Sequence, residues 1–209
     1  MLENKNFENS IKKIITAFTN ECPSKWRERT NYIKHLIGEE GIRNGLKSYY
    51  KIEHDCTGKF PVRNSEYPYY TDISWADEPI DDFYEHSQKQ KTFKEYYQGY
   101  KGLILAAECE WAIYNVKDDL DLRLRSMVKD FRKLTWFNAV YKLFIYSAIY
   151  DEEKGVNGLL LNFLMEKILC YPNLSENGNY YFVEFRPNDL TRISFYKYQH
   201  NSFEKIFEA

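Results

Sequence analysis

Gly102-Leu-Ile-Leu-Ala-Ala-Glu-Cys-Glu-Trp111 opens as a nearly continuous apolar run and then carries two acids. A run of this length and kind predicts a central β-strand covered on both faces. Downstream, Leu120, Leu124, Met127, Val128, Phe131 and Leu134 keep a 3.6-residue period, which predicts an amphipathic helix. A second apolar run, Ala139-Val-Tyr-Lys-Leu-Phe-Ile-Tyr-Ser147, predicts another buried strand. Strand, helix and strand over 102–147 imply a parallel pair joined by a crossover. The expected class is therefore α/β, a central mixed β-sheet flanked by helices.

Upstream, Phe7, Ile11, Ile14, Ile15 and Phe18 mark one helical face, and Pro23 ends that helix. Trp26, Ile33, Leu36 and Ile37 begin a second helix. Gly38 is expected to bend it, and Ile42, Leu46 and Tyr49 extend its period to about Tyr50. The N-terminal helices thus occupy 5–50. Strands are expected over Tyr50–Asp55 and Tyr67–Trp75, and the polar, aromatic residues 77–100 read as an insertion. Val156–Leu169 predicts a further apolar helix, and Tyr180–Phe185 and Ile193–Tyr198 predict two closing strands. No linker composition interrupts the chain, so residues 1–209 read as a single domain.

Composition narrows the function classes. Lys and Arg number 29 against 31 Asp and Glu, so any nucleic-acid binding must come from locally clustered cations. The four cysteines, Cys22, Cys56, Cys109 and Cys170, form no CxxC pair, which argues against a zinc site and for reduced thiols in a cytoplasm. No apolar run is long enough to span a membrane. The four histidines show no ligand spacing, and neither a Ser/His/Asp triad nor a P-loop is visible.

The chemistry lies in the acids. Glu108 and Glu110 stand two apart on one strand and share a face. Paired carboxylates repel, and burial makes each charge more costly; a divalent cation relieves both. Mg²⁺ suits such a pair, with water and phosphate completing its octahedron. Asp72 interrupts another hydrophobic stretch, Tyr67-Pro-Tyr-Tyr-Thr-Asp-Ile-Ser-Trp75, and reaches the same face if the two strands are neighbours.

Asp72 on one strand followed by Glu108-Cys109-Glu110 on the next resembles the PD-(D/E)XK (restriction-endonuclease-like) motif. The chain departs from it at Thr71, which stands where the motif has Pro, and at Glu110, which stands where it has Lys. BamHI-like enzymes also carry Glu there. Asp130-Phe131-Arg132-Lys133-Leu134 at the end of the following helix is similar to a second block of restriction-type families, and the likeness covers roughly 25–147. The resemblance implies a hairpin in a mixed sheet and an Mg²⁺ (or Mn²⁺) ion held by Asp72, Glu108 and the Cys109 carbonyl. It implies Glu110 as general base or extra metal contact, double-stranded DNA as substrate, and a homodimer. It also implies an acid on the second helix, for which Glu40 is the candidate; the alternative is an ordinary exposed pair, Glu39 and Glu40. Lys133 is either a relocated catalytic cation or a solvated side chain. Arg123, Arg125 and Arg132 are candidates for phosphate contact, or part of a solvated face shared with Asp118, Asp119, Asp121 and Asp130. The rival to a nuclease is a non-catalytic PD-(D/E)XK-like module that binds protein or nucleic acid.

Overall fold

A computed structural model describes residues 3–24, 26–50, 52, 71–77, 103–110, 120–147, 164, 166, 179–186, 189–199 and 202–209. Two helices open the chain, α1 (Asn4–Asn20) and α2 (Trp26–Arg43). Three strands follow, β1 (Lys47–Tyr50), β2 (Ile73–Ala76) and β3 (Leu103–Glu110). Then come α3 (Leu120–Trp136), β4 (Tyr141–Ser147), β5 (Asn179–Arg186), β6 (Asp189–Gln199) and β7 (Ser202–Glu208).

The seven strands form one sheet whose spatial order is β1-β2-β3-β4-β5-β6-β7. β3, β4 and β5 are mutually parallel, and every other pairing is antiparallel. The sheet is therefore mixed, and the strand–helix–strand reading of 102–147 is correct.

The pleat sorts side chains into two cores. Leu105, Ala107, Tyr141, Leu143, Ile145, Tyr181 and Val183 pack with the predicted α1 face, Phe7 to Phe18, and with Ile33 and Ile37 of α2. Ala106, Phe144, Tyr146, Tyr180 and Phe182 pack with Met127, Phe131 and Leu134 of α3. Both faces of the central strands are covered, which explains their unbroken hydrophobicity.

Two expectations need correction. The second helix does not run to Tyr50. It ends at Arg43, where Gly45 takes φ 76°. The Gly45 amide donates to the Ile42 carbonyl at 2.9 Å and the Leu46 amide to the Gly41 carbonyl at 3.0 Å, the bonding of a Schellman cap. The first strand accordingly lies at Lys47–Tyr50, earlier than expected. α2 continues through Gly38, whose missing side chain makes room for the Tyr50 ring, as that of Gly41 does for Trp75. Strand β7 has no counterpart in the sequence reading. Of the expected insertion 77–100 only Asp77 is described, and of the Val156–Leu169 helix only Leu164 and Glu166 are described, both helical. Among the described cysteines, Cys22 and Cys109 are free thiols.

Lys142 is an oddity of this core. It is 2 % exposed on β4, its ammonium donating to the Tyr180 hydroxyl at 3.2 Å. Burial pushes it down to about 8. A lysine whose folded value is depressed destabilises the fold below that value, and the penalty fades as pH rises toward 10.5. Lys142→Met is expected to stabilise the protein by on the order of 2 kcal/mol at pH 7, with the gain shrinking above pH 8. Urea denaturation at pH 7 and 9.5 checks this; equal effects at both pH values would refute it.

Candidate functional site

β2 and β3 are antiparallel neighbours, with Ile73 opposite Ala107. The pairing stops there, and Asp72, in the bend before β2, turns its carboxylate to the Cys109 backbone. Thr71 builds that bend: it is buried, and its hydroxyl lies 2.9 Å from Ser74 Oγ and 3.3 Å from the Ile73 carbonyl oxygen. The Cys109 amide donates to Asp72 Oδ2 at 2.9 Å. In an extended strand the N–H and C=O of one residue leave on the same side, so the Cys109 carbonyl faces this edge too.

Glu108 and Glu110 project to the opposite face from Cys109, toward α3. Lys133 reaches Glu108 Oε2 at 3.1 Å and Asp130 Oδ1 at 2.7 Å. Ser126 donates to Glu110 Oε1 at 3.2 Å, and Glu110 also bonds the Asp130 carboxyl. The site thus occupies the carboxyl end of a parallel strand, the usual place for ligands in open α/β sheets.

Glu108 is 2 % exposed, and its Oε1 has no hydrogen-bond partner among the described residues. Burial drives its carboxyl up to about 9; the charge of Asp72 adds to this, and Lys133 offsets it only in part. Glu110 is raised by burial and then by its bond to Asp130. For Lys133, burial opposes the charge, but Glu108 and Asp130 outweigh it and the ammonium is held above its ordinary range. Perturbed carboxyls gathered at one edge are a mark of functional sites.

Of the predicted residues, the structure brings Asp72, Glu108, Cys109, Glu110 and Lys133 together. Lys133 is not a solvated lysine. Among the described residues, no three His, Cys, Asp or Glu side chains already surround one point closely enough to hold a metal ion. Asp72 and Glu108 are each turned to a lysine instead. The donor set still suits a hard divalent cation: its side chains are all-oxygen, and one buried oxygen has no hydrogen-bond partner among the described residues.

Glu40 is neither exposed nor in this cluster. It is buried between α1 and α2, where it accepts from Ser10 Oγ at 2.8 Å, Arg43 at 2.9 Å and Asn44 at 3.4 Å. Glu39 takes the Tyr50 hydroxyl at 3.3 Å. Arg125 and Arg132 are exposed on α3, with Lys129 between them on the same face; Arg123 is helical, its side chain outside the described set. Trp75 is core, its indole donating to the Ile37 carbonyl, and Trp111 lies outside the described residues.

Two charged groups escaped the sequence reading. Lys34 of α2 binds Asp72 Oδ1 at 2.5 Å. It shares the helix stripe of Ile37, Gly38 and Gly41, and a lysine on a glycine-lined packing face was the available signal. Asp130 was legible as part of its block but had been placed on the solvated face. One strand beyond Glu110, and in register with it, Tyr146 donates to Glu184 Oε2 at 2.8 Å, extending the buried polar row.

Described helices include none long and apolar enough to cross a membrane. Comparison with protein-family models, with curated proteins and with solved structures returns no match, so the site's own geometry has to carry the assignment.

Proposed function

We propose that the chain is a metal-dependent phosphodiesterase, an endonuclease acting on double-stranded DNA, with a restriction-endonuclease-like fold of the PD-(D/E)XK kind. The observation that carries the reading is the buried Oε1 of Glu108, which has no hydrogen-bond partner among the described residues and lies amid Asp72, Glu110 and Asp130. Leaving a carboxylate oxygen unsatisfied at this depth costs about 1–3 kcal/mol or more, which a fold does not retain without a use. A β2–β3 hairpin in a mixed sheet flanked by helices is also the setting that the motif implies.

In this reading Asp72, Glu108 and the Cys109 carbonyl hold an Mg²⁺ or Mn²⁺ ion. Such an ion would polarise the phosphoryl oxygen and offset charge on the leaving alkoxide. Glu110, kept basic by burial and by Asp130, accepts the proton of the attacking water. Lys133 fixes the rotamer of Glu108 through Oε2 and so leaves Oε1 aimed at the ion. Arg125 and Arg132, with Arg123 on the same helix, offer contacts to the phosphate backbone, and two-strand cleavage would engage a homodimer.

Plasmid cleavage tests the assignment. Turnover is expected only with Mg²⁺ or Mn²⁺ and is expected to vanish in Glu108→Ala. Cleavage in chelator, or an unchanged variant, would refute it.

One observation favours the rival, a non-catalytic module of the same fold: both oxygens of Asp72 are already engaged, by Lys34 and the Cys109 amide. Failure of either cation to bind in calorimetry would select that rival.

A further inference from the structure

Helix α3 sorts its side chains into three stripes. Met127, Phe131 and Leu134 are buried against the sheet. Ser126, Asp130 and Lys133 form the flank that reaches the acids: Ser126 bonds Glu110 at 3.2 Å, and Lys133 bonds Glu108 at 3.1 Å and Asp130 at 2.7 Å. Arg125, Lys129 and Arg132 are exposed and make up the third stripe. At 3.6 residues per turn these three fall within about 60° of one another, and about a quarter turn from the flank that serves the site. The stripe occupies 125–132 and the flank 126–133, so the cations lie alongside Glu108 and Glu110 rather than beyond them.

All three described side chains of the outer stripe are cationic. Asp130 is turned away from it to Lys133, and among the described residues none of the three cations is in an ion pair. The net charge of the chain is −2, so this stripe is a local concentration and not the reflection of a basic protein. From Arg125 to Arg132 the helix rises about 10.5 Å, the length of about three phosphates of one strand at roughly 3.4 Å of axis each.

Resting on the phosphodiester reading above, we infer that the outer stripe of α3 is a track for the backbone of one DNA strand, with Lys129 a contact equal to Arg125 and Arg132, and that it carries this strand past the acids. The guanidinium groups suit phosphate oxygens bidentately, and the ammonium supplies a point charge. Such a track touches no base edge, so binding through it is independent of sequence and open to single strands and duplex alike.

Fluorescence anisotropy in chelator, with one labelled oligonucleotide as a single strand and as its duplex, tests the track apart from any cation. Each of Arg125→Gln, Lys129→Gln and Arg132→Gln is expected to lower the slope of log affinity against log salt by about 0.7 for the single strand and about 0.9 for the duplex, and to weaken binding roughly tenfold at about 50 mM salt. Lys13→Gln, which removes an exposed cation of α1 across the sheet, is expected to change binding by less than about twofold. Stripe variants that fold and bind with the wild-type salt slope would overturn the inference. So would a Lys13→Gln as damaging as Lys129→Gln, or a loss confined to the duplex. Equal displacement of the DNA by poly-glutamate at matched charge would assign the stripe to an acidic protein and overturn it too. Plasmid cleavage with Mg²⁺ is read separately. A wild type that cleaves, with stripe variants that bind undiminished, keeps the enzyme reading and loses the track. A wild type that binds through the stripe and never cleaves keeps the track and loses the enzyme reading. No DNA binding by the wild type would sink both.

Discussion

Glu108→Gln is expected to make the cation-free protein more stable while removing its cleavage activity. The carboxyl is buried, with one oxygen lacking a partner among the described residues, and is driven up to about 9. A group raised this way contributes its full stability only below its unfolded value, near 4.5, and loses it as pH climbs through 9. At pH 8 the wild type therefore bears most of that loss, and a neutral amide of the same shape does not. Allowing for the weakened Lys133 contact, the gain is about 2–4 kcal/mol, or roughly 5–15 °C in Tm. Adding 10 mM Mg²⁺ should raise the Tm of the wild type and leave the variant unmoved, because only the former gains a ligand on folding. Cleavage should fall at least about 100-fold. Scanning calorimetry at pH 8 with and without Mg²⁺ reads the first two effects. A variant less stable than wild type in cation-free buffer would mark Glu108 as an ordinary structural acid.

Gly41→Ala is expected to destabilise the protein by about 2–4 kcal/mol, the reverse of what helix propensity alone gives. Alanine in place of glycine inside a helix normally gains up to about 1 kcal/mol. Here the added methyl would enter the Trp75 ring, which is fully buried and tied to the Ile37 carbonyl at 3.1 Å. Neither partner can yield without lifting α2 from β2. Since Lys34 rides on the same helix, the Asp72 contact should loosen as well, and cation affinity should change along with the denaturation midpoint. A stability equal to or above wild type in urea would show that α2 does not pack as described.

Legibility followed covering. β3, α3, β4 and the α1 face were readable because each is buried on a regular period, and Glu108 and Asp72 stood out as acids in hydrophobic settings. The boundary at Arg43 was lost because Ile42, Leu46 and Tyr49 happen to continue a helical spacing across a real stop. Asn44-Gly45 was the overriding signal, since glycine is favoured at the left-handed position after a helix. β7, Ser-Phe-Glu-Lys-Ile-Phe-Glu on a sheet edge, mixes charged and apolar residues without a two-residue period and carries too little hydrophobicity to announce itself. The acids of the site were found because carboxylates interrupt apolar strands. The lysines that answer them come from helices on opposite faces of the sheet, and only the fold brings those together with Asp72 and Glu108.

Spatial order across the sheet repeats order along the chain. A nascent polypeptide leaving the ribosome can therefore lay each strand against an edge already formed, never prying open a finished pair to insert a later one. Lys34, Asp72, Glu108, Glu110, Asp130 and Lys133 all precede β4. Every charged group of the cluster has thus been synthesised before the C-terminal strands exist, and Phe144 and Tyr146 arrive next to shield the two glutamates from solvent.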